Sequence, residues 1–160
     1  MHASDAFVAA WREDVVRTAL AAQGIEPPLR PAITSPVRSR RRATLAGRRT
    51  KKGAIVGLHG RASGTVVEVP ECLVLHPDLT AALSALGEIT AAGASRKGEV
   101  ALALTRGEGG LDLAVTGGKP LEQSLFATLS AIAGRADLAR LTWNGEIVAG
   151  RRAVAQRFGN

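Results

Sequence analysis

The chain has one cysteine, Cys72, no tyrosine, and an aromatic content of only 3% in 160 residues. A single thiol excludes an internal disulfide and reads as a reducing compartment. With Phe7, Trp11, Phe126, Trp143 and Phe158 as the whole aromatic set, stacking platforms are too scarce for a sheet face that reads unstacked bases. No stretch approaches the ~20 apolar residues needed to span a bilayer, and the N-terminus shows neither a charged lead-in nor an apolar run. The sequence therefore shows no membrane segment and no signal peptide, and the expected location is cytoplasmic. A further absence is local: between Pro27 and Val67 there is no aspartate or glutamate.

That acid-free stretch holds ten bases: Arg30, Arg38, Arg40, Arg41, Arg42, Arg48, Arg49, Lys51, Lys52 and Arg61. They exceed the whole chain's formal net charge of +7, so the remainder is net acidic. A concentrated cationic field steers polyanions and releases counterions on neutralising phosphates, which makes RNA or DNA the first partner to consider. Phosphate contacts position a nucleic acid without specifying its bases. The other reading of such a run is a solvated basic face.

Around this segment the pattern gives an α+β fold with largely antiparallel sheets and three helices. Ser4 as N-cap and Gly24 as stop bound an amphipathic helix over 3–23 that carries Phe7, Trp11, Val15 and Leu20 on one stripe. Pro27, Pro28, Pro31 and Pro36 then set an extended connection. A three-stranded meander follows, with strands from Arg38 to Leu45, Ala54–Leu58 and Thr65–Val69, a basic turn from Gly47 to Gly53, and a second turn from Gly60 to Gly64. Pro77 opens a helix that runs to Gly93 through Leu79, Leu83, Leu86 and Ile89. Glu99–Thr105 and Leu111–Thr116 form a hairpin, Pro120 starts a helix that closes at Gly134, and Asn144-Gly145 turns a last hairpin. Arg151–Phe158 reads as a final strand with an exposed edge. The expected organisation is 1–36 as helix and proline-rich connection, and 37–160 as a central domain.

Few residues suggest chemistry. Gly93 to Gly98 superficially resembles a phosphate loop but has Glu99-Val100 where Lys-Ser/Thr is required, so it reads as a basic turn. His2, His59 and His76 are too scattered for a metal site. No nucleophile motif is present, and no catalytic residue is assigned. Cys72 alone reads as a small buried hydrophobe.

Its context carries a resemblance. Val67-Glu-Val-Pro-Glu-Cys-Leu-Val-Leu-His-Pro-Asp-Leu79 is similar to a segment of the RumA/RlmD-type RNA (uracil-5-)-methyltransferases, in which the cysteine is the last ligand of an iron–sulfur cluster. Three more stretches resemble that family in the same order. They are His2-Ala3-Ser4; Ser35-Pro-Val-Arg-Ser-Arg-Arg-Arg-Ala-Thr-Leu45 with Lys52-Gly-Ala-Ile-Val-Gly-Leu-His59; and Gly109-Gly-Leu-Asp-Leu113. Ser39 stands where the family has tyrosine.

The resemblance implies a parent enzyme that uses S-adenosylmethionine and a 4Fe-4S cluster to methylate uracil C5 in RNA, with rRNA the expected partner. Cys72 would be the fourth cluster ligand. The other three cysteines, the S-adenosylmethionine loop, the nucleophilic cysteine and the general base of the family have no counterpart in this sequence. The chain is accordingly expected to be a truncated, RNA-engaging N-terminal and central region. It would bind neither cofactor itself, would be inactive alone, and would hold RNA through Arg38, Arg40, Arg41, Arg42, Arg48, Arg49, Lys51, Lys52 and Arg61. The alternative is a free-standing basic module, ribosome-associated and without an enzymatic parent.

Overall fold

The computed structural model describes residues 3–157. His2, which belongs to the resemblance, and Phe158 at the end of the expected last strand lie outside them. The chain divides into two compact units, one up to Pro36 and one from Val37.

In the first unit α1 spans Asp5–Ala21. Ser4 caps it by accepting the amide of Phe7 at 3.2 Å, and Gly24 turns the chain away at φ +70°. Both signals act where the sequence placed them. The following proline-rich stretch has no regular structure, and the Ala32 amide donates to Glu13 Oε1 at 2.6 Å.

The second unit is one seven-stranded sheet in the order β3-β2-β1-β4-β5-β6-β7. Its strands are β1 (Arg42–Thr50), β2 (Gly53–His59), β3 (Val66–Val67), β4 (Glu99–Gly107), β5 (Gly110–Thr116), β6 (Arg140–Trp143) and β7 (Glu146–Gly150), and its helices are α2 (Pro77–Ala81), α3 (Leu83–Gly93) and α4 (Gln123–Arg135). Every neighbouring pair is antiparallel except β5 and β6, which α4 joins as a parallel crossover. The α+β class with largely antiparallel strands is thus observed, with four helices among the described residues rather than three.

Strand alternation puts Val100, Leu102 and Leu104 of β4 wholly inside, while Ala101 and Ala103 stay exposed. Helix α3 packs over β1 and β2 and α4 over β6 and β7, so one face of the sheet is covered and the core lies between. Leu86 and Ile89 of α3, and Leu129 and Ile132 of α4, fill it. Each such fully buried side chain contributes about 1.5–3 kcal/mol of transfer free energy.

Four expected boundaries are corrected. The first strand is Arg42–Thr50, not 38–45, and Gly47 lies inside it rather than opening a turn. The reason is steric: a Cβ on Gly47 would stand 2.5 Å from Thr90 Oγ1 and 2.9 Å from Val100 Cγ2, so this glycine permits close approach of α3 to the sheet. The third strand contracts to two residues. The helix expected from Pro77 to Gly93 breaks at Ala82, which caps both α2 and α3. Residues 151–157 form no strand; they cross the β4–β5 turn, where Glu108 donates its amide to the Ala155 carbonyl at 2.9 Å.

Candidate nucleic-acid interface

The uncovered face of the sheet is read from the strand register. One cross-strand row is Arg42, Thr105, Asp112 and Arg140; the next is Thr44, Ala103, Ala114, Thr142 and Ile147; a third is Gly57, Ala46, Ala101 and Thr116; a fourth is Ile55, Arg48 and Glu99. Residues paired in register point to the same face, so two rows rich in alanine and threonine lie between two charged rows. The small rows form a shallow floor that ends on β7 at the exposed Ile147, and Ala46 within it is buried.

The basic residues divide into two poles. Arg30 belongs to the first unit. Arg38 adopts φ +56° and donates its amide to the Leu73 carbonyl at 2.7 Å. Arg40 forms a parallel bridge with Leu75: its amide donates to Val74 O at 3.1 Å, and its carbonyl accepts from His76 N at 2.9 Å. The triple-arginine run and the segment after Cys72 are therefore hydrogen-bonded neighbours. Arg41 is exposed, and Arg42 begins β1. Arg61 lies in the β2–β3 turn, closed by Gly60 N donating to Thr65 O. At the other end of β1 stand Arg48 and Arg49, with Lys51 and Lys52 at the tip of the β1–β2 hairpin. At ~3.4 Å per residue the two ends of β1 are about 27 Å apart. Strand parity sends Arg42 and Arg48 to the uncovered face and Arg49 to the opposite one.

Among the described residues only one of these ten bases makes an ion pair: Arg48 Nε lies 2.8 Å from Glu99 Oε2, which also meets His59 Nε2 at 3.0 Å. The hydrogen bond from His59 is the main cause holding the Glu99 carboxyl below its ordinary range; Arg48 adds to it and desolvation partly opposes it. The other described arginine–carboxylate pairs use arginines outside the acid-free stretch. Arg140 grips Asp112 through both Nε and an Nη, at 2.8 and 2.6 Å; Arg106 meets Asp78, Arg135 meets Glu88, and Arg151 and Arg152 share Asp137. The acids thus neutralise the late arginines and leave the early cluster open to an external anion. Glu99, the one carboxylate paired with that cluster among the described residues, is a residue the sequence did not single out.

The remaining candidates do not converge. Trp143 is wholly buried with its Nε1 donating to Lys119 O at 2.8 Å, so it offers no stacking surface. His76 caps α2 by accepting the amide of Asp78 at 3.2 Å. Cys72 is half-buried against the core, its amide donating to Val69 O at 3.3 Å. No group of three His, Cys, Asp or Glu that could hold a metal occurs among the described residues. A cluster held by four thiolates does not fit a chain with one cysteine. No helix among the described residues is long and apolar enough to cross a membrane.

No protein-family model matches this sequence. Individual proteins do. Over 149 residues, 93% of the chain, it is 34% identical to a protein of Brucella suis biovar 1 (strain 1330) named an uncharacterized RNA methyltransferase. Proteins of the same description from Rhizobium meliloti (strain 1021) and Caulobacter vibrioides (strain ATCC 19089 / CIP 103742 / CB 15) are 33% and 34% identical over 92% and 94% of the chain. The chain spans only 36%, 35% and 38% of the length of these three relatives.

Proposed function

We propose, from homology along nearly its whole length to part of proteins named RNA methyltransferases, that this chain is the RNA-engaging region of such an enzyme. It positions RNA and does not itself carry out the transfer. The observation that carries the reading is the cationic cluster along β1, in which Arg48 alone pairs with a carboxylate among the described residues, beside rows of alanine and threonine on the sheet face. Arginine forks suit phosphate oxygens, and a floor of small side chains lets a polynucleotide backbone come close. The role is held by Arg38, Arg40, Arg41, Arg42, Arg48, Arg49, Lys51, Lys52 and Arg61.

The finer reading, uracil C5 as the methylated atom and rRNA as the partner, rests on the resemblance of the 35–45 and 67–79 segments, which the fold brings into contact through the Arg40–Leu75 bridge. In that reading S-adenosylmethionine and the cluster belong to the parent enzyme in the cytoplasm. The test measures fluorescence anisotropy of a labelled rRNA stem–loop against salt. The Arg40→Ala, Arg42→Ala, Arg61→Ala triple variant is expected to bind more weakly, its log–log salt slope reduced by up to about 0.9 for each duplex phosphate it no longer neutralises. No RNA binding by the wild-type chain, or an identical slope in the variant, overturns the reading.

A further inference from the structure

We infer that Arg49, Thr50, Lys51 and Arg96 form a phosphate-binding cleft for the RNA backbone, a site that draws the Gly93–Gly98 turn into the interface. This rests on the RNA reading above and adds a specific contact to it. The four residues line a cleft of about 360 Å³ with no carboxylate among its lining. Arg96 is 47 positions beyond Arg49 in sequence, and nothing in the local pattern of either joins them.

The convergence follows from topology. Arg49 has the parity of Leu45 and Gly47, the residues of β1 that face the helix layer. The strand, however, runs past the last turn of α3, which ends at Gly93. Where Leu45 and Gly47 meet the core, Arg49 meets the turn that leads from α3 into β4. The register of Arg48 with Glu99 fixes that turn beside the hairpin tip carrying Lys51.

The same register keeps Glu99 on the opposite face, occupied by Arg48 and His59. Arg49, Lys51 and Arg96 make no ion pair among the described residues, whose pairs all use other cations. Three like charges drawn to one cleft repel one another, and a bound oxyanion reverses the sign of that interaction. Two guanidinium forks and an ammonium, beside a threonine hydroxyl, give the donor set of a phosphodiester site.

The experiment measures anisotropy on the full chain with the same labelled stem–loop, comparing Arg96→Ala, Arg96→Lys and the Arg49→Ala, Arg96→Ala pair. Arg96→Ala is expected to lower the salt slope by about 0.9 on duplex or about 0.7 on single strand, so that its loss of affinity is roughly threefold larger at about 50 mM than at about 200 mM salt. Arg96→Lys keeps the slope and loses part of the affinity, because a point charge replaces a fork.

If the slope and affinity of Arg96→Ala equal wild type while the Arg40, Arg42, Arg61 variant is weakened, the cleft is excluded and the RNA reading stands. If no variant differs, both fall. A parallel titration with inorganic phosphate separates the sources of the anion. Thermal stabilisation of wild type that is absent from the Arg49→Ala, Arg96→Ala protein, with RNA binding unaltered, would assign the cleft to free phosphate and overturn the RNA contact.

Discussion

Arg48 and Glu99 face each other across the β1–β4 ladder, Nε to Oε2 at 2.8 Å, and bring one carboxylate into the otherwise acid-free cationic cluster. Replacing Glu99 by Gln keeps the shape and removes the charge. In the proposed RNA role the variant should bind RNA about two- to fivefold more tightly at low salt, the size expected of a half-exposed pair worth about 0.4–1 kcal/mol. Anisotropy against salt checks this, and equal affinities would show that Arg48 does not reach RNA.

The same carboxyl makes a pH signature. Its folded value lies below the ordinary 4.5, first because of the His59 hydrogen bond. The unfolded chain therefore takes up the proton first as pH falls, and the stability this group supplies is intact above its ordinary value and lost as pH drops through the lowered one. Between about pH 5 and about pH 3 the urea midpoint of wild type should fall more than that of Glu99→Gln. Parallel slopes for the two proteins would refute the assignment.

Thr90 is buried and its Oγ1 has no hydrogen-bond partner among the described residues; it faces Gly47 across the α3–β1 contact. Thr90→Val removes the unsatisfied hydroxyl at nearly constant shape and should stabilise the chain by about 1 kcal/mol. Gly47→Ala should cost about 1–3 kcal/mol by overpacking the same spot. Denaturant midpoints of the two variants, which should move in opposite directions, give the answer.

Trp143 is enclosed by Gly93 and Gly118, where a methyl group would overlap its ring, and is tied by its indole N–H to Lys119 O. Trp143→Ala should cost about 3–5 kcal/mol. Gly118→Ala should also destabilise, by about 1–3 kcal/mol. Urea unfolding followed by far-UV circular dichroism reports both, and a neutral Gly118→Ala would mean the loop yields freely.

Arg152 ties three segments together. It donates to the Gly109 carbonyl at 2.5 Å, to Asp137 Oδ1 at 2.8 Å and to the Asp137 carbonyl at 2.6 Å, and Asp137 itself sits at φ +50°. Arg152→Ala should speed hydrogen exchange of the Glu108 amide, which depends on the 151–157 segment crossing that turn. Unchanged protection would show that the segment is held without it.

The local grammar of the chain was readable. Ser4 and Gly24 bound α1, the Gly-rich and Asn-Gly turns mark the hairpins, and Pro77 opens α2, because each acts through its own backbone. What could not be read is what distance in sequence conceals. Gly47 carries the same letter as a turn glycine, and only the packing of Thr90 against it reveals a strand interior. The pairing of β1 with β4 joins Arg42 to Thr105 and gives no local periodicity. For that reason Glu99 and Arg96 are invisible in sequence as neighbours of the basic cluster, and Arg96, in a stretch that fails the phosphate-loop pattern, reads only as part of a basic turn.

The nine residues of β1 set both the spacing and the handedness of its charges. A strand has only two sides, so inserting or deleting one residue anywhere between Thr44 and Gly47 would exchange the outlooks of Arg48 and Arg49. The first would lose its carboxylate, the second its cleft. The strand acts as a gauge whose unit is a pair of residues, and length changes that respect that unit would shift the far pole by about 7 Å while leaving its orientation intact.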